Sequence, residues 1–159
     1  MGRFGTYEDR DRLEAEMAYE ARDLPVTIHD FLSRTAKAHP DRPAISFQLL
    51  AGPRDPATTL TWQDLLERVT ETANLFRKLG IGPTDTVAYL LPNSIETPVV
   101  LLAGATAGIV NPINPLLDAE QIGAILRDGE VIIPRGHKQQ RAFIMTSQML
   151  AECKAIITR

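Results

Sequence analysis

Cysteine is nearly absent: Cys153 is the single thiol in 159 residues. One thiol allows no internal disulfide and no cysteine-based metal site, and it fits a reducing, cytoplasmic home. An excess of basic charge is also missing. The net charge is −3, which argues against a general nucleic-acid binder, since such a protein needs a basic face for phosphates. No long apolar run occurs. The longest, residues 98–110, is broken by Thr106 and small residues, too short for a bilayer and suited to a buried helix. The opening TYEDRDRLEAEMAYEARD is dense in both charges and reads as no secretory signal. A contact at a membrane periphery stays open. Phosphate-cradling glycine loops are missing too: neither G-x-x-x-x-G-K-[ST] nor G-x-G-x-x-G occurs.

What is present is the mix of an ordinary globular domain, 44% hydrophobic and 23% charged, at a length that fits one domain. Residues 1–23 form a polar segment, read as a surface helix or a mobile arm. Residues 24–159 read as one α/β unit. Thr27 is a candidate cap for a helix carrying Ile28, Phe31, Leu32 and Ala36 at helical spacing. His39-Pro40 stops it, because proline disfavours the helical region for the residue before it. Residues 44–49 read as a strand, and Gly52-Pro53-Arg54-Asp55-Pro56 as a loop.

Thr61-Trp62-Gln63-Asp64 has the form of a capping box. Leu65, Leu66, Val69, Ala73, Phe76 and Leu79 then make one apolar stripe, with Glu67, Arg68, Glu71, Arg77 and Lys78 on the wet face. Gly80 suits a left-handed helix end. Residues 86–91 are a nearly continuous apolar strand, as in a sheet covered on both faces. Ser94 is the expected cap of the next helix, with Pro98 in its first turn. Gly108 ends that helix, Ile109-Val110 starts a short strand, and Asn111-Pro112-Ile113-Asn114-Pro115 reads as a stiff loop. Asp118, with Gln121 three places on, caps a helix that turns Ile122, Ile125 and Leu126 inward. A strand at 131–133, a helix near 141–150 and a final strand at 154–157 follow. This alternation predicts a doubly wound, mainly parallel α/β layer, in which ligands sit beyond the carboxyl ends of the strands. With few helices to cover two faces, the piece is expected to expose an apolar sheet face or edge and to self-associate, so a homo-oligomer is an open expectation.

Three stretches, TLTWQDLLERV, LFRKLGIGPTDTVAYLLPNS and AGIVNPINPLLDAEQIGAILRD, with DLPVTIHDFLSRTAKAHPDRPAISF before them, resemble the opening of acyl-CoA synthetases of the adenylate-forming superfamily. The likeness is strongest to the fatty-acyl branch and runs in one order from about Asp23 to Ile133. It implies the first subdomain of that fold, here truncated. It implies a ligase that joins a fatty acid to ATP as an acyl-adenylate, with magnesium, and then transfers the acyl group to coenzyme A. The family's Ser/Thr/Gly-rich loop ending in Lys, its Tyr-Gly-x-Thr-Glu segment, its ribose-binding Asp and its C-terminal Lys find no match here. No catalytic, cofactor-binding or metal-binding residue is therefore assigned, and the chain is expected to be inactive alone. Two other readings stand beside it: an interaction or regulatory module of the same fold, and an adenylation domain serving a carrier protein.

Several residues have a plain and a sharp reading. Pro92-Asn93-Ser94 is either a cap and turn or an anion site at a helix N-terminus. Asn111 and Asn114 either close a turn or line an acyl pocket. Arg135, His137, Lys138 and Arg141 are either a solvated loop or a contact for a coenzyme A phosphate or an acidic lipid surface. His29 and His39 read as surface or capping residues, Cys153 as packing beside the last strand, and Trp62 as a core anchor.

Overall fold

The structure, a computed structural model, describes residues 5–50, 52–128 and 142–146. The polar N-terminal segment forms helix α1 (Tyr7–Glu16) and a short 3-10 turn at Tyr19–Ala21. Thr6 caps α1 by accepting from the amide of Asp9, and no residue of this helix is buried. Arg22 closes its other end, donating to the carbonyls of Leu13 and Met17. α1 therefore rests on local hydrogen bonds rather than on a core.

Helix α2 (Ile28–Ala38) starts at Thr27, whose hydroxyl accepts from Asp30 N, and ends at His39, whose amide donates to Thr35 O. It buries Leu32 and Ala36. Phe31 is not inward as its spacing suggested: it is 49% exposed and meets Trp62 edge-on at 6.4 Å. A strand β1 (Pro43–Gln48) follows and pairs antiparallel with β2 (Ala57–Thr61). The second strand of this hairpin was not foreseen. Its sequence ATTLT is short and mostly exposed, and only Leu60 is buried, so no alternation announces it.

Thr61 ends β2 and caps α3 (Trp62–Lys78) in a reciprocal box with Asp64. The hairpin base is tied to the α2–β1 turn, since Trp62 N donates to Arg42 O and Gln63 N to Pro40 O. Leu65, Val69, Ala73 and Phe76 are buried as expected. Leu79 is 48% exposed instead. It occupies the C-cap, the last helical position before Gly80 turns the chain away. Gly80, at φ 91°, takes the left-handed position. The amides of Gly80 and Ile81 reach back to Arg77 O and Phe76 O, a Schellman closure.

The central strand β3 (Thr86–Leu90) is buried along nearly its whole length. Val87, Tyr89 and Leu91 join the main core with residues of α2, α3 and α4 (Glu96–Ala107). Ala88 and Leu90, on the opposite face, meet Ile113 and the inward side of α5 (Ala119–Asp128), namely Ile122, Ile125 and Leu126. Helices thus cover both faces of β3, as its nearly continuous apolar run suggested. β3 pairs in parallel with β4 (Ile109–Pro112) and β5 (Ala142–Thr146), in the order β4-β3-β5. A doubly wound parallel layer with an antiparallel hairpin beside it is the architecture.

Two further expectations are corrected. A helix was predicted near 141–150, but Ala142–Thr146 is a strand. The run AFIMT is too short and too uniformly apolar for its period to decide, and its pairing with β3 does. Asn111 and Pro112 were placed in a loop and instead end β4. Proline is tolerated because β4 is outermost among the described strands, so its missing donor breaks no ladder. The strands expected at 131–133 and 154–157 lie outside the described residues.

Candidate functional site: the carboxyl edge of the parallel sheet

In an open α/β sheet the place for a ligand is the crevice beyond the carboxyl ends of the strands. Among the described residues two connections lie at that edge, residues 91–95 between β3 and α4 and residues 113–118 between β4 and α5. The first is built from prolines and hydroxyls. Thr97 donates its hydroxyl proton to Pro92 O at 2.7 Å. Its oxygen can then only accept from Ser94, whose hydroxyl lies 3.2 Å away. Ser94 Oγ in turn accepts from Glu96 N at 3.3 Å. The helix cap position is Ile95, one residue later than expected, and it has no side-chain cap of its own. Ser94 still satisfies an orphan amide of α4 from just outside the helix. The hydroxyls of this joint thus satisfy one another and one amide of α4. Asn93 is exposed beside it.

The second connection is closed in the same way. Asn114 Oδ1 accepts from Leu116 N at 3.0 Å, an Asx turn. Asp118 and Gln121 cap α5 reciprocally: Gln121 N donates to Asp118 Oδ1 at 2.8 Å and Asp118 N to Gln121 Oε1 at 3.2 Å. Asn111 sits in β4 opposite Ala88 of β3, half-buried. Asn114 therefore closes a turn, whereas Asn111 belongs to the sheet. The two connections are joined through the ladder, where Ile113 N donates to Tyr89 O at 3.0 Å. Burial raises the Tyr89 phenol above its ordinary pKa, because the phenolate would lose its water.

Away from this edge, His39 is an exposed C-cap, as expected. Trp62 is half-buried against the main core, an anchor shared with Phe31 rather than a stacking platform. His29 departs from its surface reading: it bridges two helices, with Nε2 at 3.1 Å from Thr70 Oγ1. No spacing signals that contact, which joins residues 41 apart in sequence. Arg135, His137, Lys138, Arg141 and Cys153 lie outside the described residues. Among the described residues no three His, Cys, Asp or Glu side chains converge as metal ligands, and no helix is long and apolar enough to cross a membrane. Chemically, the described edge is a pair of rigid, self-satisfied turns. It can form the rim of a crevice.

The AMP-binding enzyme family matches residues 32–146, which takes in this edge and every described strand. The chain belongs to that family. An acyl-activating enzyme of Arabidopsis thaliana is 34% identical over 109 residues, covering 68% of this chain and 18% of the relative. Tyrocidine synthase 2 of Brevibacillus parabrevis is 31% identical over 143 residues, 89% of this chain and 4% of that protein. The N-terminal subdomain of Klebsiella oxytoca NpsA, solved in complex with 3-hydroxyanthranilyl-AMSN, superposes with a TM-score of 0.63 at 20% identity. It covers 86% of this chain and 34% of that one. This AMP-binding family chain has the fold of the N-terminal subdomain of adenylate-forming enzymes, and it spans under a fifth of the length of either curated relative.

Proposed function

We propose that this chain is the N-terminal scaffold of a fatty-acyl-CoA ligase. The reaction is carboxylate plus ATP to acyl-adenylate and pyrophosphate, then attack by the coenzyme A thiol to give acyl-CoA and AMP. The family match over residues 32–146, with its 34% identity to an acyl-activating enzyme, carries this reading. The fatty-acid assignment rests on the sequence likeness of residues 23–133 to the fatty-acyl branch. ATP, magnesium and coenzyme A belong to the complete enzyme. Among the described residues no three His, Cys, Asp or Glu side chains converge to hold magnesium. The chain alone is inactive on this proposal, because its sequence holds no phosphate-cradling glycine loop. A cytoplasmic location is part of the same proposal and rests on the single thiol and the charge-rich opening.

A second reading has its own support. The match to tyrocidine synthase 2 extends over more of this chain than the plant match does. An adenylation domain that hands its acyl group to a carrier protein fits that likeness. Protein captured from its native source with an antibody to this chain separates the two. Incubated with ATP, coenzyme A and panels of fatty, aromatic and amino acids, it should form acyl-CoA from fatty acids. Adenylation of amino or aromatic acids with no coenzyme A product would favour the carrier reading, and no acid-dependent pyrophosphate release would overturn both.

A further inference from the structure

Helix α2 meets α3 through Leu32, through the edge contact of Phe31 with Trp62, and through polar groups. Leu32 and Ala36 are its fully buried side chains, while Phe31 and Ile28 remain largely exposed. Between the two helices runs a chain of polar contacts. The Thr70 hydroxyl donates to Leu66 O at 2.7 Å within α3. That proton is taken, so Thr70 Oγ1 is an acceptor toward its other neighbour, His29 Nε2, at 3.1 Å. His29 must then carry a proton on Nε2. Its other nitrogen, Nδ1, is left to accept from the Ser33 hydroxyl, which stands 3.4 Å away one turn along α2. All three side chains are half-buried, where a lost partner is felt more than at the open surface.

We propose that His29, fixed as the Nε2–H tautomer, is a latch that sets how readily α2 opens from the body as a unit. Undoing the latch releases α2 first, because the core cluster that Leu32 joins takes all its other buried members from outside that helix. α2 is then a locally opening segment of the kind that exchanges its amides ahead of the rest of a fold. The latch depends on one donor and one acceptor, so it can be removed and restored with small substitutions.

Two measurements on the full chain test it. Long-range nitrogen–proton correlation on the neutral imidazole should show His29 protonated at Nε2. Hydrogen exchange should show amides 28–38 opening roughly three- to tenfold faster in Thr70→Val and His29→Asn, the change one net hydrogen bond brings. The asparagine amide lies where Nδ1 was and falls short of Thr70. Thr70→Ser restores the acceptor and His29→Gln restores a donor near the Nε2 position, so both should return the slow exchange. A proton on Nδ1, unchanged exchange in Thr70→Val, or acceleration spread evenly over α3 and β3 would overturn the proposal. Should Thr70→Val fail to fold, the tautomer of the unsubstituted chain decides.

Discussion

At Gly108 the chain leaves no room for a side chain. A Cβ there would lie 2.5 Å from Asp85 O and 2.6 Å from Gly82 O, both backbone atoms of the turn that launches β3. The turn is itself pinned, with Gly82 N donating to Asp85 Oδ2 at 2.6 Å. Neither side can yield without moving the central strand. Gly108→Ala should therefore cost at least about 1–3 kcal/mol, the usual penalty of forced overpacking. Gly80→Ala strains only its own left-handed backbone and should cost about 1–2 kcal/mol. Urea unfolding of both variants checks the order. Phe76 gives the opposite case of a side chain that cannot be removed. It is fully buried in the main core, so Phe76→Ala should cost about 3–5 kcal/mol. Glu71→Ala, on the exposed side of the same helix, should change stability by less than about 0.5 kcal/mol. Phe76 and Glu71 were both legible in the sequence, because a helix in mid-course obeys its period. Leu79 was not, since the period says nothing of where the cap falls. Neither was His29, whose partner lies on another helix.

Helices were read better than strands, and the capping chemistry explains why. Thr27, Thr61 and Asp118 each announce a helix start with a short side chain that accepts from an amide three residues on. Such a signal is local and survives in the sequence. β2 and β5 are defined by partners elsewhere in the chain, β1 for one and β3 for the other. Five residues of either carry too little pattern to reveal that. The Thr61 box also makes a pH prediction. Asp64 accepts from the Thr61 amide and hydroxyl, and these bonds hold its carboxyl below the ordinary aspartate range. A lowered folded pKa means that the stabilisation is complete above about pH 4, the ordinary unfolded value. It is lost as pH falls through the lowered one. Denaturation midpoints followed from pH 7 downward should therefore fall less steeply in acid for Asp64→Asn than for the unsubstituted chain. Parallel curves would show that the box contributes nothing through its charge. At neutral pH, Thr61→Ala should cost about 1 kcal/mol, as loss of a helix cap does.

Across the described residues, the best-buried side chains hold a parallel sheet, and two turns at its carboxyl edge are closed by their own side chains. The family was legible from fold-building stretches such as LFRKLGIGPTDTVAYLLPNS, and those same residues prove to be the end of α3, the Schellman closure, β3 and the joint at Ser94. No residue of the candidate site was assigned a chemical role from the sequence. In the structure Asn114 closes a turn, and a hydroxyl chain runs from Ser94 through Thr97 to Pro92 O. The proposed function assigns nucleotide chemistry to other parts of the complete enzyme. The most direct measurement is a calorimetric titration of ATP, with magnesium and a fatty acid present, into the purified 159-residue chain, followed by carboxylate-dependent ATP–pyrophosphate exchange on the same sample. Binding no tighter than about 1 mM, equivalent to about −4 kcal/mol, and no exchange are expected. Tighter binding, or exchange that depends on the acid, would contradict a purely scaffolding role.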